Sequence, residues 1–154
     1  MSERFDDALR DIERAIEGEG TTRERLAEVV EIIRQADPLH AWVGLYYLRG
    51  ETLELGPFSG IPTAHARIPV GTGVCGTAVE TRQNQVVEDV RQCPHYLSCS
   101  EAVRSEIVVL IWREHSIVGV IDIDSDEIGT FGFSDEQDLD RVAKLIAPLV
   151  FEVL

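Results

Sequence analysis

The sequence predicts an α+β fold in which a mostly antiparallel sheet packs against helices from both ends of the chain. The spacing of apolar residues is helical up to residue 37 and again at the carboxyl end, whereas it alternates through most of the chain between. Two short polar turns, at residues 49–51 and 113–116, join strands that are neighbours in sequence and therefore antiparallel.

Composition and charge indicate a globular protein and argue against binding to nucleic acids or anionic membranes. The chain has 154 residues, of which 44% are hydrophobic and 27% charged, so it can bury a core without disulfides or metals. Its net charge of −14 repels nucleic-acid phosphates and anionic membranes. No secretory segment or membrane span is evident. We expect a cytoplasmic protein with one domain, residues 1–154, divided into N-terminal helices (1–37) and a sheet core with a C-terminal helix (40–154).

Two amphipathic helices are predicted at the N-terminal end. The apolar stripe of the first consists of Phe5, Leu9, Ile12 and Ile16. Gly18-Glu19-Gly20 ends this helix, and Thr21 with Glu24 forms a capping-box pattern that opens the second. Pro38 predicts the end of the second helix at Asp37.

The rest of the chain is predicted to form strands, one short helix and a final long helix. The expected strands are His40–Leu48, Thr52–Phe58, Arg67–Val70, Gln85–Glu88, Glu106–Trp112 and Ile117–Asp124. The short helix ends near Thr81, and residues 89–103 form a loop. Ser134 with Gln137 forms a second capping-box pattern that predicts the start of the final helix, which Pro148 is expected to kink or shorten.

Three carboxylates are expected to converge at the end of the last hairpin. Asp122 and Asp124 project from the same face of one strand, because they are two residues apart. The turn places Glu106 opposite Ile123 or Asp124 on the partner strand. Like charges so close cannot all ionise unless a cation joins them or one keeps its proton. A substrate ammonium, a metal ion or a general acid would explain the cluster, and a solvated polar face is the alternative.

The cysteines are candidates for thiol chemistry. Cys75 lies at the start of the short helix, where the dipole and free N–H groups favour a thiolate, although a small buried residue is the alternative. Cys99 lies in a polar, irregular segment that suits an exposed thiol. Cys75 and Cys99, together with Cys93 and His95, could in principle form a zinc site. The spacing Cys-x-His-x3-Cys is not a standard ligand pattern, so we expect no metal site.

Two aromatic residues share a face of the first strand. Trp42 and Tyr46 are four residues apart, so their side chains point the same way. They suit either a core or a pocket for an apolar, sulfur-bearing ligand. The pattern by itself does not separate these two possibilities.

Several sequence blocks between Trp42 and the final helix together point to one family. The blocks are Leu55-Gly56-Pro57-Phe58, Arg67-Ile68-Pro69, Gly71-Thr72-Gly73-Val74-Cys75-Gly76-Thr77-Ala78, Ser105-Glu106-Ile107-Val108 after Cys99, and Gly119-Val120-Ile121-Asp122-Ile123-Asp124-Ser125. They resemble the free methionine-(R)-sulfoxide reductases, which are stand-alone GAF domains. The resemblance implies a six-stranded antiparallel sheet, commonly in a homodimer. It also implies reduction of free L-methionine (R)-S-oxide, with thioredoxin as reductant and no bound cofactor.

The resemblance also implies functions for individual residues. Cys99 matches the catalytic nucleophile of the family, and Cys75 matches a second family cysteine. The carboxylates that match the family's substrate pocket are Glu106, Asp122 and Asp124, and the aromatics that match those around the substrate's methyl end are Trp42 and Tyr46.

One position departs from the family pattern. His65 stands where many members carry a third cysteine, and an imidazole cannot form a sulfur–sulfur bond. Cys75 and Cys93 are then the thiols that could resolve a sulfenic acid on Cys99, and we favour Cys75 because it matches a family cysteine. A non-enzymatic GAF module that binds a small ligand or senses oxidation is the alternative function.

Overall fold

A computed structural model describes residues 3–94, 96 and 101–154 of the chain. The helices are α1 (Glu3–Glu17), α2 (Thr22–Ala36), α3 (Gly73–Thr81) and α4 (Phe133–Val153). The strands are β1 (Trp42–Arg49), β2 (Thr52–Ser59), β3 (Arg67–Pro69), β4 (Gln85–Val87), β5 (Ser105–Arg113) and β6 (Ser116–Ser125). A 3-10 turn over Val90–Gln92 follows β4.

The six strands form one sheet in the order β3-β2-β1-β6-β5-β4, with every neighbouring pair antiparallel. The β1–β2 and β5–β6 hairpins turn where the sequence predicts. The first and last strands of the chain lie side by side in the middle of the sheet, because β1 pairs with β6. The predicted α+β class and antiparallel sheet are therefore confirmed.

The two faces of the sheet carry different cores. Val43, Leu45 and Tyr47 of β1 belong to the larger core, which includes apolar residues of α1, α2 and α4. Trp42 and Tyr46 point the other way and belong to a smaller core with apolar residues of α3. The alternation of side chains along a strand produces this division. The candidate site lies on the face with the smaller core.

The N-terminal capping prediction is confirmed. The Thr21 hydroxyl accepts a hydrogen bond from the backbone N–H of Glu24 at 3.1 Å, and the Glu24 carboxylate accepts one from the backbone N–H of Thr21 at 3.4 Å. The start of β1 differs from the prediction. His40 is buried outside the strand, because its Nδ1 hydrogen-bonds the carbonyl of Ile33 at 2.7 Å.

The structure differs from the sequence prediction at the start of α4 and in its length after Pro148. The helix begins at Phe133 rather than after Ser134, because the N–H of Gly132 donates to the carboxylate of Asp135 at 2.8 Å and fixes the first turn. Pro148 does not shorten the helix, which continues to Val153. A proline removes one backbone hydrogen bond, and burial of neighbouring side chains such as Val150 offsets that loss.

Among the helices of the described residues, none is both long and apolar enough to cross a bilayer.

Candidate active site

The carboxyl groups of β5 and β6 meet on the face with the smaller core, as predicted. Glu106 lies directly opposite Asp124 in the β5–β6 register, and Asp122 lies between Val108 of β5 and Gly44 of β1. The three acidic residues are only 6%, 3% and 2% exposed for Glu106, Asp122 and Asp124, respectively. The alternative of a solvated polar face is therefore wrong.

Burial changes the protonation of these carboxyl groups. It raises the pKa of Asp122, although hydrogen bonds with Glu106 and Cys75 act in the opposite direction. Burial also raises the pKa of Asp124 well above its ordinary range, and the negative charge of Asp122 raises it further. Because like charges in so small a volume oppose one another's ionisation, the cluster favours keeping a proton. It can therefore accept a cation or donate a proton.

Cys75 faces this cluster from the first turn of α3. The helix packs closely on the sheet edge, since a Cβ at Gly76 would lie 2.6 Å from the carbonyl oxygen of Pro69. Cys75 is 3% exposed. Burial raises the pKa of its thiol well above the ordinary value, and Asp122 and Glu106 raise it further. The expectation that the helix start makes Cys75 a thiolate is wrong, because desolvation and nearby acids outweigh the helix dipole.

A small pocket lies between Cys75 and the carboxyl groups. Its lining residues are Tyr46, His65, Ile68, Gly73, Val74, Cys75, Glu106 and Asp122. Its volume is about 10 Å³, which is room for a single water molecule. Among the described lining residues, His65 carries an imidazole, and its backbone carbonyl accepts a 2.9 Å hydrogen bond from the Tyr46 hydroxyl.

Trp42 and Asp124 line a separate, larger groove of about 730 Å³. The Trp42 ring covers the backbone of Gly44, where an added Cβ would approach it to 2.2 Å, and it stacks on Phe58 with ring centres 5.9 Å apart. Its centre lies 6.4 Å from that of Tyr46, which lines the small pocket. In the described part of the chain, Trp42 Nε1 and Asp124 Oδ1 are buried without a hydrogen-bond partner.

The structure also brings together a set of potential metal ligands. Cys75 Sγ and one carboxylate oxygen each from Glu106 and Asp122 lie within 4.8 Å of one another. Sequence reasoning missed this set because its members come from three elements and show no local spacing. It also missed His65 as a pocket residue, for which the departure from the family pattern was the available signal.

Two residues of the sequence-based site lie outside the described residues. These are Cys99, the predicted nucleophile, and His95 of the rejected zinc pattern. Cys93 is half-buried and packs against the same small core that contains Cys75.

Comparison with known proteins identifies the class first. Residues 21–149 match the model of the GAF domain family, so the chain is a GAF protein. It is 41% identical over 138 residues to the free methionine-R-sulfoxide reductase of Escherichia coli K12, covering 90% of this chain and 83% of that protein. The chain therefore belongs to the free methionine-R-sulfoxide reductase family, which confirms the resemblance.

Solved structures agree with this assignment. The free methionine-R-sulfoxide reductase of Neisseria meningitidis, solved in complex with its substrate, is 32% identical with a TM-score of 0.88, covering 96% of this chain and 88% of that one. The fRMsr of Staphylococcus aureus, in complex with substrate, is 36% identical with a TM-score of 0.85, covering 95% of each chain. The arrangement of strands and helices is thus that of family members solved with substrate.

Proposed function

We propose that this protein reduces free L-methionine (R)-S-oxide to L-methionine. The observation that carries the proposal is the group of buried carboxyls of Glu106, Asp122 and Asp124 beside the Cys75 thiol, in a chain of this family. Buried acids without a described lysine or arginine in the pocket lining favour a ligand that brings its own cation. A free amino acid supplies one in its ammonium group.

The groove and the small pocket suit the two ends of such a substrate. The α-ammonium group forms charge-assisted hydrogen bonds with the carboxylates, including the Oδ1 atoms of Asp122 and Asp124, which have no hydrogen-bond partner among the described residues. Trp42 and Tyr46 contact the methyl end. The small pocket has room for one water only, so the substrate enters from the groove that Trp42 and Asp124 line and displaces side chains near Cys75.

Reduction begins with attack of the Cys99 thiolate on the sulfoxide sulfur, a function assigned to Cys99 by family resemblance. A protonated carboxyl of the cluster donates its proton to the sulfoxide oxygen. The hydroxyl then moves from the substrate sulfur to the Cys99 sulfur as the new sulfur–sulfur bond breaks, so that methionine leaves and Cys99 becomes a sulfenic acid. Sulfur of the substrate is reduced by two electrons and the cysteine is oxidised by two.

A second thiol then resolves the sulfenic acid. Asp122, the hydrogen-bond partner of Cys75, takes the thiol proton as Cys75 attacks Cys99, and it passes this proton to the sulfenic hydroxyl, which leaves as water. The raised pKa of Asp122 makes its carboxylate a stronger base for this step. Thioredoxin reduces the resulting disulfide. Cys93 is the alternative resolving thiol, and the histidine at position 65 is excluded chemically.

The cellular setting follows from this chemistry. A thioredoxin-dependent reductase works in a reducing compartment, so we assign the protein to the cytoplasm. We also propose that residues 1–154 form a single domain and that two copies form a homodimer, as the family resemblance implies.

The proposal is tested by thioredoxin-coupled oxidation of NADPH. We expect turnover with free methionine (R)-sulfoxide and none with the (S) epimer or with peptide-bound methionine sulfoxide. Equal turnover of both epimers would contradict the assigned specificity. If no sulfoxide is reduced while methionine sulfoxide still binds in calorimetry, the protein is a ligand-binding GAF module instead.

A further inference from the structure

The donor atoms around the small pocket are chemically suited to a metal ion. Cys75 Sγ and the carboxylate oxygens of Glu106 and Asp122 lie within 4.8 Å of one another, all on buried residues. They are carried by α3, β5 and β6, so regular elements rather than loops hold them. His65 lines the same pocket and can supply an imidazole nitrogen. Thiolate, imidazole and carboxylate are the donors found in zinc sites.

A second observation favours a bound cation at this cluster. Asp122 is 3% exposed, yet its Oδ1 has no hydrogen-bond partner within the part of the chain that the structure describes. A buried acceptor without a partner is costly, and a bound cation would satisfy it. The described lining of the pocket contains no lysine or arginine that could do so.

We propose that this pocket binds one zinc ion through Cys75, Glu106 and Asp122, with the fourth position open to water or His65. Zinc–oxygen and zinc–sulfur bonds of about 2.0–2.3 Å place tetrahedral ligands roughly 3.3–3.8 Å apart, so the donor atoms need to approach by about 1.5 Å at most. The ion displaces the Cys75 thiol proton and the proton shared by the carboxyl groups, and both enter the solvent.

Zinc would also exclude the substrate. The ion takes the same carboxylate oxygens that the ammonium group needs, and it fixes Cys75 as a metal thiolate that cannot resolve a sulfenic acid. This consequence rests on the proposed reductase function. Zinc binding itself does not depend on the reductase function, so zinc binding and zinc inhibition are tested separately.

Binding is tested on a double variant, Cys93→Ser with Cys99→Ser, in which Cys75 is the remaining thiol. Cadmium serves as a spectroscopic probe, because a cadmium thiolate absorbs in the ultraviolet. We expect one equivalent of Cd²⁺ to produce this band, Zn²⁺ to displace it with release of protons in weak buffer, and Mg²⁺ to do neither. Adding Asp122→Asn should weaken zinc binding about tenfold or more.

Several outcomes would overturn the proposal. One is absence of the band from the folded double variant, which circular dichroism identifies as folded. Another is full zinc affinity in Cys75→Ser together with loss of affinity in the double variant, which would place the ion among Cys93, His95 and Cys99. In the parent protein, zinc should inhibit turnover in competition with substrate. Binding without inhibition would leave the zinc site in place and count against the substrate-binding part of the proposed function.

Discussion

The Tyr46 hydroxyl donates a 2.9 Å hydrogen bond to the backbone carbonyl of His65, 19 residues further along the chain. Tyr46 is fully buried in β1, whereas His65 lies in the connection between β2 and β3. This bond fixes the position from which His65 lines the small pocket. A strand at the centre of the sheet thereby positions one wall of the candidate site.

We expect Tyr46→Phe to lower the free energy of unfolding by about 0.5–1.5 kcal/mol, because the ring stays while the hydrogen bond is lost. It should also lower kcat/KM several-fold, since the wall that carries His65 loses its anchor. Denaturant unfolding and steady-state kinetics measure the two effects. Tyr47→Phe is the matched control, because the buried Tyr47 hydroxyl has no hydrogen-bond partner among the described residues. Equal effects of both variants would contradict the prediction.

Replacing the predicted nucleophile should abolish catalysis. We expect Cys99→Ser to have no measurable thioredoxin-coupled turnover while binding methionine sulfoxide with parental affinity in calorimetry. Cys93→Ser removes a half-buried thiol from the same region and should keep its activity. Activity that persists in Cys99→Ser would assign the nucleophile to another cysteine.

The acidic cluster should matter more for catalysis than for stability. In Asp122→Asn and Glu106→Gln, loss of a charge-assisted hydrogen bond to the substrate costs about 1.5–3 kcal/mol, roughly one to two decades in kcat/KM. The melting temperature should stay unchanged or rise, because repulsion between buried acids falls. Glu127→Gln, at an exposed residue, is the control for loss of one negative charge. Variants that unfold, or that keep full activity, would make the cluster purely structural.

The pH dependence of stability should reveal the raised pKa of Asp124. Its pKa is raised by burial, so the folded chain holds a proton that an unfolded chain releases above about pH 3.9. The contribution of this group to stability is therefore favourable at low pH and falls as pH rises from about 4 towards the folded pKa. Asp124→Asn removes it, so the variant should gain stability over the parent as pH rises towards neutrality. Parallel curves of melting temperature against pH would contradict this.

The proposed resolving step predicts a defined disulfide. After one turnover without reductant, peptide mapping should find Cys75 linked to Cys99. The bond requires Cα atoms within roughly 7 Å. Cys75 is buried before turnover, so a thiol reagent should modify it slowly in the reduced protein. A Cys93–Cys99 linkage would replace Cys75 as the resolving residue, and a stable sulfenic acid would indicate that an external thiol resolves it.

Much of the fold could be predicted from the sequence, because helices, strands and tight turns are indicated by residues that are close together in the chain. The change from helical to alternating spacing near residue 40 and the two hairpin turns predicted the helices and the antiparallel pairs. Thr21 with Glu24 marked the start of α2 correctly. The same pattern at Ser134 failed, because the Asp135 carboxylate bonds Gly132 instead and moves the start of α4. Competing caps a residue or two apart cannot be ranked without the backbone geometry.

The sequence alone determined that Asp122 and Asp124 share a face, since side chains alternate along a strand, and it left Glu106 opposite either Ile123 or Asp124. The irregular pairing between Ile111 and Trp112 sets the register that places Glu106 opposite Asp124. Tertiary structure decided the pKa values of those acids and of the Cys75 thiol. α3 packs onto the sheet and buries the thiol against the carboxyls, which raises the pKa of Cys75 where the helix start alone predicts a thiolate. Burial depends on contacts between β6 and a helix some 45 residues earlier in the chain, and desolvation outweighs local sequence in setting charge.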